Sequence, residues 1–433
     1  MSNLRYVGVD VHKDSMVMAV AETGNAPAER LMRLEWSESQ LLKELRRLGP
    51  LKSLKVCYEA GPTGYGLQRF LKSHGVDCVV IAPSLVPQAL GSRVKTDRRD
   101  ARKLAHFLRS GDLVPIWIPD EQTEALRDLV RVRDAARLAE RRVKQQLLKF
   151  LLRHGRRFTE GKSNWTKTHW NWVRRQKFDH EAQRLALADI IRTVDEATAR
   201  IGRVDRDISQ CLSDWHLAPL VKNLQAFRGI RELTAVALAA EIGDFTRFAK
   251  ASKFMAFVGL IPSESSSGES RRQGRLTKTG NRHVRRLLIE AAWNYCNAPA
   301  SSSVALLKRC EGVPDDVVKI TQKALRRLRS KSRQLQMRQK QPNKIVASLA
   351  RELAGFIWAV AQITPTPTPA NTAKQHQATQ TKKHKPTVPK QHNTTQTKAN
   401  AADSHDDRRG SSGTASAKQR QRGTKQNKSR SSA

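Results

Sequence analysis

Two short apolar runs open the chain, Tyr6-Val7-Gly8-Val9-Asp10-Val11 and Met16-Val17-Met18-Ala19-Val20, with the polar residues His12, Lys13, Asp14 and Ser15 between them. Runs of this length around a polar break predict a β-hairpin over residues 5–20. A third strand is expected at Arg30–Trp36, then a helix near Glu38–Leu48, a strand at Leu54–Glu59, a helix at Thr63–His74 and a buried strand at Val76–Ala82. Strands alternating with helices predict an α/β layer. A further helix begins around Asp97 and runs through Leu104 and Ala105 to Gly111, a residue type suited to closing a helix. The first domain then ends near Pro119.

Beyond that point the period changes. Leu129, Ala136, Val143 and Phe150 recur every seven residues, and Leu187, Ile190, Val194, Ala197, Ile201, Val204 and Ile208 alternate steps of three and four, a heptad seam. An intramolecular hairpin and a coiled coil between subunits both satisfy such a seam; a dimerisation arm is the expectation adopted. Between the two helices, Trp165, Trp170 and Trp172 are interleaved with Lys162, Lys167, His169, Arg174 and Arg175. That mixture suits base stacking with phosphate neutralisation, or equally a tryptophan-packed connector. From Leu217 to Val360 the pattern is mostly helical, closing with a helix at Ile345–Val360. After Ile363 a Thr-Pro repeat and a Gln-, Thr-, Lys- and Ser-rich run lack the aliphatic residues that would offset chain entropy, so disorder is predicted. The expected plan is α/β plus α: an α/β domain over 1–118, coiled-coil helices over 119–215, a mostly helical domain over 216–362 and a disordered basic tail over 363–433.

Charge narrows the partners. Lys and Arg number 79 against 40 Asp and Glu, a net +39, and residues 364–433 carry only +11 of it. The folded part is itself basic, which favours a polyanion over a small metabolite, and the tail would add salt-sensitive affinity without sequence preference. With no run of 18 apolar residues and no signal-peptide core, the expectation is a cytoplasmic protein without a membrane partner. The five cysteines lack C-x-x-C spacing, which argues against zinc and disulfides; Cys57 and Cys78 read as buried thiols.

Two constellations could carry chemistry. Asp10 and Glu59 each end an apolar strand, and Asp97 and Asp100 lie three apart at a helix start. Separately these are turn residues and helix caps. Together they offer an all-oxygen cage suited to Mg²⁺ and to in-line displacement at phosphorus, with Lys95, Arg98 and Arg99 beside them for phosphates. The second constellation is the serine run Ser263–Ser270, which reads as a flexible loop, followed by Lys278 and by Arg282, Arg285 and Arg286 on one helix face. A hydroxyl beside guanidinium groups could attack phosphorus once a base or metal takes its proton. Upstream, Phe227-Arg228-Gly229-Ile230 resembles a helix-hairpin-helix turn, able to aim backbone N–H groups at phosphate.

In order along the chain, Tyr6-Val7-Gly8-Val9-Asp10 with His12-Lys13, Tyr58-Glu59-Ala60-Gly61, Lys95-Thr96-Asp97-Arg98-Arg99-Asp100-Ala101, Glu241-Ile242-Gly243, Gly259-Leu260, Ser267-Gly268-x-Ser270 and Lys278-x-Gly280-Asn281 resemble the blocks of the DEDD transposases of insertion sequences, a family of bridge-RNA-guided recombinases. The resemblance spans roughly residues 5–360. It implies a ribonuclease-H-like N-terminal domain, Mg²⁺ at Asp10, Glu59, Asp97 and Asp100, and Ser267 as the nucleophile that forms a covalent protein–DNA link. It also implies donor and target DNA, a noncoding guide RNA, and a homo-oligomer, dimer or tetramer, whose subunits share composite sites. A nuclease or junction resolvase using the acidic cage alone, and a non-catalytic basic nucleic-acid-binding protein, are the alternatives.

Overall fold

The computed structural model describes residues 4–87, 96–267, 270–299 and 301–365; Lys95, Gly268 and almost all of the predicted tail lie outside them. Its first element pair is the expected hairpin, β1 (Arg5–Val11) and β2 (Ser15–Ala21), followed by β3 (Glu29–Glu35), α1 (Glu38–Leu48), β4 (Leu54–Glu59), α2 (Gly66–Ser73), β5 (Asp77–Ile81) and α3 (Asp97–Ser110). The strands form one mixed sheet in the order β3-β2-β1-β4-β5. β1 is antiparallel to β2 and parallel to β4, which in turn runs parallel to β5.

Period-two alternation assigns the two faces of β1. Val7 and Val9 point to one face and pack with Met16, Met18, Val56 and Tyr58 under Leu41 and Leu45 of α1 and Leu67 and Leu71 of α2. Each such fully buried leucine contributes about 1.5–3 kcal/mol relative to exposure. Gly8 points to the other face, where α3 lies directly on the strand. A Cβ at Gly8 would stand 2.4 Å from both the Ala101 carbonyl oxygen and the Ala105 amide nitrogen. The missing side chain lets the helix backbone touch the sheet, and the small residues Ala101 and Ala105 pack against Ala19 and Ala21. The Thr96 side chain caps α3, and Gly111, at φ 80°, closes it as the sequence predicts.

The middle region is α4 (Glu121–Arg153), α5 (Lys167–Arg175) and α6 (Glu181–Leu212). α4 and α6 pair antiparallel within one chain: Gln122 Nε2 donates to the Asp214 carbonyl at one end (2.8 Å), and Thr198 Oγ1 donates to Glu140 farther along (3.0 Å). Leu187, Ile190 and Val194 bury against Leu147, Phe150 and Leu151. This part of the seam is covered by α4 of the same chain, the intramolecular hairpin that the heptad pattern also allows. The tryptophans are packed as a connector: Trp165, Trp170 and Trp172 lie against that same cluster, around a fully buried His169.

The C-terminal region is α7 (Ala218–Leu224), α8 (Glu232–Ile242), α9 (Ala251–Phe257), β6 (Pro262–Ser267), β7 (Ser270–Leu276), α10 (Arg282–Cys296), α11 (Val304–Cys310), α12 (Asp315–Met337) and α13 (Pro342–Ile363). Residues 235–242 of α8 are all buried, which makes it the central helix. α13 is long and apolar enough to cross a membrane, yet its Leu349, Leu353, Ile357 and Val360 are fully buried in this core. The turn at Gly229 packs against the Ala291 carbonyl and Asn294 of α10, so the helix-hairpin-helix glycine meets protein. Cys57 and Cys78 are buried, and burial pushes the Cys78 thiol up to about 12.

Gly8→Ala is expected to destabilise the chain by about 1–3 kcal/mol or more, because neither backbone atom facing it can move without unseating α3. Urea unfolding of the two proteins measures this. An unchanged midpoint would show that α3 does not rest on β1 as described.

Candidate functional site

β1 and β4 end side by side. Val9 pairs with Tyr58, so the next residues on the two parallel strands, Asp10 and Glu59, share the sheet face that carries Gly8 and Cys57. That face is covered by α3, where the Cys57 thiol donates to the Leu104 carbonyl at 3.6 Å. The N-terminal turn of α3 therefore sits over the strand ends, and it holds Asp97 and Asp100. Thr96 does the capping, donor Arg99 N–H to Thr96 Oγ1 at 3.4 Å, which leaves the Asp97 carboxylate for other work. This removes the capping explanation of Asp97.

The carboxylates of Asp10 and Asp97 converge on a third side chain. His12 Nε2 lies 3.2 Å from Asp10 Oδ2 and 3.4 Å from Asp97 Oδ1. Ligand-type atoms of Asp10, His12 and Asp97 all fall within 4.8 Å of one another. Asp100 is half-buried nearby and lies 3.7 Å from Lys103 Nζ. Burial raises the Asp10 carboxyl above its usual range; His12 opposes the shift, while Asp97 and Asp100 reinforce it. Excess negative charge in a partly dehydrated position is the condition that a divalent cation relieves. Hard carboxylate oxygens suit Mg²⁺. His12 appears in the sequence only as part of a motif. Its part in the cluster depends on the tight turn that returns β2, where His12 N–H donates to the Ser15 carbonyl at 2.9 Å.

The serine run is a β-ribbon, a correction to the flexible loop expected. Ser267 pairs with Ser270, Ser266 with Arg271 and Ser265 with Arg272, so Ser265 and Ser267 share a face and Ser266 takes the other. Ser266 Oγ donates to Glu264 at 3.0 Å. Ser267 is exposed at the described end of β6. The base of the ribbon is rigid: Thr277 N–H donates to the Ile261 carbonyl (2.9 Å) and Lys278 N–H to the Gly259 carbonyl (3.2 Å). Gly280, at φ 68°, lets the chain pass the Phe257 carbonyl, whose oxygen would lie 1.8 Å from a Cβ there.

Of the basic residues expected to face nucleic acid, Arg98, Arg99, Lys278 and Arg282 are exposed. Arg285 instead donates to the Val258 and Thr279 carbonyls at 3.0 and 2.8 Å, tying α10 to the ribbon base. Arg286 donates to Asp134 of α4 and to Glu290. The shared face of Arg282, Arg285 and Arg286 is thus partly engaged within the fold, because the apolar side of α10 turns those two inward.

A polar network missed in the sequence joins these parts. Glu241 of α8, its side chain 3% exposed, accepts from Arg131 of α4 at 2.9 Å and from Asn281 Nδ2 at 2.8 Å. Asn281 Oδ1 in turn accepts from the Val284 amide and caps α10. His283 lies between Asp134 (2.9 Å) and Glu241 (3.5 Å). Burial opposes the charge on Glu241, but hydrogen bonds from His283, Arg131 and Asn281 hold its carboxyl far below the usual range. Burial likewise disfavours the His283 imidazolium, and its bonds to Asp134 and Glu241 overcome this and push it up to about 9. In the sequence Glu241 and Asn281 stand only as members of separate motif blocks, with nothing to show that they meet.

Residues 7–155 match a family model described as "Transposase", the DEDD transposase of IS110 type, and residues 221–304 match "Transposase IS116/IS110/IS902 family". Among curated proteins, the chain is similar to "Putative transposase y4qE" of Sinorhizobium fredii, 41% identical over 359 residues, 82% of this chain and 88% of that one. It is 33% identical over 338 residues to the transposase for insertion sequence element IS1533 of Leptospira borgpetersenii, covering 77% of this chain and 97% of the other. The transposase for IS1328 of Yersinia enterocolitica is 24% identical over 366 residues, 83% and 97% of the respective chains.

The network has a pH signature. His283 is displaced upward from about 6.5, so its stabilisation is complete below that pH and is lost as pH rises through about 9. Glu241 is displaced downward, so its contribution is present above about pH 4.5 and lost as pH falls below it. Melting temperature followed by circular dichroism is expected to fall between about pH 6.5 and 9.5, and His283→Gln should flatten that slope. Equal slopes in both proteins would remove His283 from the network.

Proposed function

This chain belongs to the IS110 family of insertion-sequence transposases, and on that premise we propose that it cuts and exchanges DNA strands through a Mg²⁺-dependent acidic site acting with the Ser267 hydroxyl. The observation that carries the reading is the convergence of Asp10 and Asp97 on one point at the end of β1, with Asp100 one helical turn along and Glu59 at the adjacent strand end. The sheet order, three antiparallel strands continued by two parallel ones under a helix that supplies acidic residues, supports a ribonuclease-H-like assignment for the first domain.

In this reading Asp10, Glu59, Asp97 and Asp100 hold the divalent ion. Bound there, Mg²⁺ would neutralise charge on the phosphate and polarise the attacking and leaving oxygens. Arg98 and Arg99 bind flanking phosphates; Lys278 and Arg282 do the same beside the ribbon. Ser267 Oγ gives up its proton to solvent at the acidic site and bonds to phosphorus as the bond to the leaving nucleoside oxygen breaks, and that oxygen takes up a proton, so the phosphodiester energy is kept in a protein–DNA ester. The exposed ribbon end suits that role, because a nucleophile that must enter a helical backbone has to project from its own domain. Arg285 and the ribbon-base hydrogen bonds keep the projection stiff. A subunit's serine completing another subunit's acidic site, and a noncoding RNA choosing donor and target DNA in the cytoplasm, complete the reading. The basic surface of the folded part supplies the needed field.

Incubation with DNA bearing the element ends, followed by a denaturing gel, tests this. Wild type is expected to give a covalent protein–DNA band. Ser267→Ala should abolish it, Ser265→Ala and Ser270→Ala should retain it, and Asp10→Asn should cut its rate by about a thousandfold or more. Strand cutting without any adduct would instead favour the nuclease reading.

A further inference from the structure

Among the described residues, the ligand-type atoms of Asp10, His12 and Asp97 lie within 4.8 Å of one another, and the nitrogen among them is one that an all-carboxylate cage does not explain. His12 Nε2 faces both Asp10 Oδ2 at 3.2 Å and Asp97 Oδ1 at 3.4 Å, two carboxylates carried by a strand and by a helix. A neutral imidazole nitrogen carries either a hydrogen or a lone pair, and one N–H makes only one good hydrogen bond. A single ring nitrogen aimed between two anionic oxygens is therefore poorly matched as a donor to both, whereas its lone pair beside them completes an O, N, O set for a cation. The imidazole is half-exposed, which leaves room for entry, and its backbone is fixed by the hydrogen bond to Ser15. Lys103 Nζ pairs instead with Asp100, at 3.7 Å.

We propose that His12 is a direct ligand, through Nε2, of the divalent cation held by Asp10 and Asp97, and that it tilts the site towards first-row transition ions such as Mn²⁺ over Mg²⁺. Imidazole is a good ligand for first-row ions that tolerate nitrogen, while Mg²⁺ strongly prefers oxygen. The inference rests on the acidic site being the metal centre. It changes what that centre selects.

The test uses the full chain with Mn²⁺ alone as probe. Electron spin-echo spectroscopy of bound Mn²⁺ is expected to show coupling to one histidine nitrogen, altered by ¹⁵N-histidine labelling and absent in His12→Gln. Calorimetry is expected to show Mn²⁺ affinity falling on the order of tenfold or more in His12→Gln, with a much smaller loss for Mg²⁺. Mn²⁺ bound by wild type without nitrogen coupling overturns the proposal and needs no variant to fold. An unchanged Mn²⁺-to-Mg²⁺ affinity ratio in His12→Gln, or a gain in Mn²⁺ affinity, overturns it as well, the latter by making His12 a competitor for the cation. Asp10→Asn separates the premise: it should abolish stoichiometric Mn²⁺ binding, and binding that survives it would overturn the metal centre itself.

Discussion

Direct contact between the backbone of α3 and strand β1 at Gly8 is the constraint on which the acidic site depends. An α/β layer ordinarily keeps side chains between helix and sheet. Here the absent Cβ and the alanines at 101 and 105 bring the helix close enough for its first turn to overhang the strand ends. Asp97 and Asp100 come from that turn, Asp10 and Glu59 from the strands. Any spacer at Gly8 would move one pair of acids relative to the other. The placement of the four carboxylates thus starts from a packing contact two residues before the first of them.

A second constraint fixes the other half of the molecule. The buried Glu241 gathers Arg131 from α4, Asn281 from the base of the ribbon, and His283 from α10. Burying a carboxylate is tolerable only when its lone pairs are filled, and here the partners come from α4 and from the capped start of α10. The network therefore specifies how the ribbon base meets the long helix that leaves the first domain. At the junction itself Trp117 covers Gly243, its ring 1.9 Å from where a Cβ would stand, and Arg127 and Arg247 stack on it.

Much of the first domain was legible because its signals are local. Alternation at residues 5–20, the apolar run ending in Glu59 and the glycine at 111 each report on their own element. What could not be read is what depends on a partner distant in sequence. The heptad seam of α6 reads the same whether a second subunit or α4 covers it, and the contact with Leu147, Phe150 and Leu151 of α4 is visible only in three dimensions. Likewise the serine run has the composition of a loop, and its pairing with residues 270–276 makes it a ribbon. His12 was visible as a residue but not as a neighbour of Asp97, because that proximity needs both the hairpin turn and the seating of α3. Arg285 and Arg286 looked like a basic face, and the acceptors that engage them come from residues 134, 258, 279 and 290.

On the proposed reading, positive charge gathers at one place, a divalent ion at the overhang of α3 above the ends of β1 and β4. Anomalous diffraction from crystals of the protein grown with Mn²⁺ tests it most directly. The account predicts a peak bounded by the carboxylates of Asp10 and Asp97, within reach of Glu59 and Asp100. Crystals that carry Mn²⁺ elsewhere on the chain and show no peak at that overhang would contradict it.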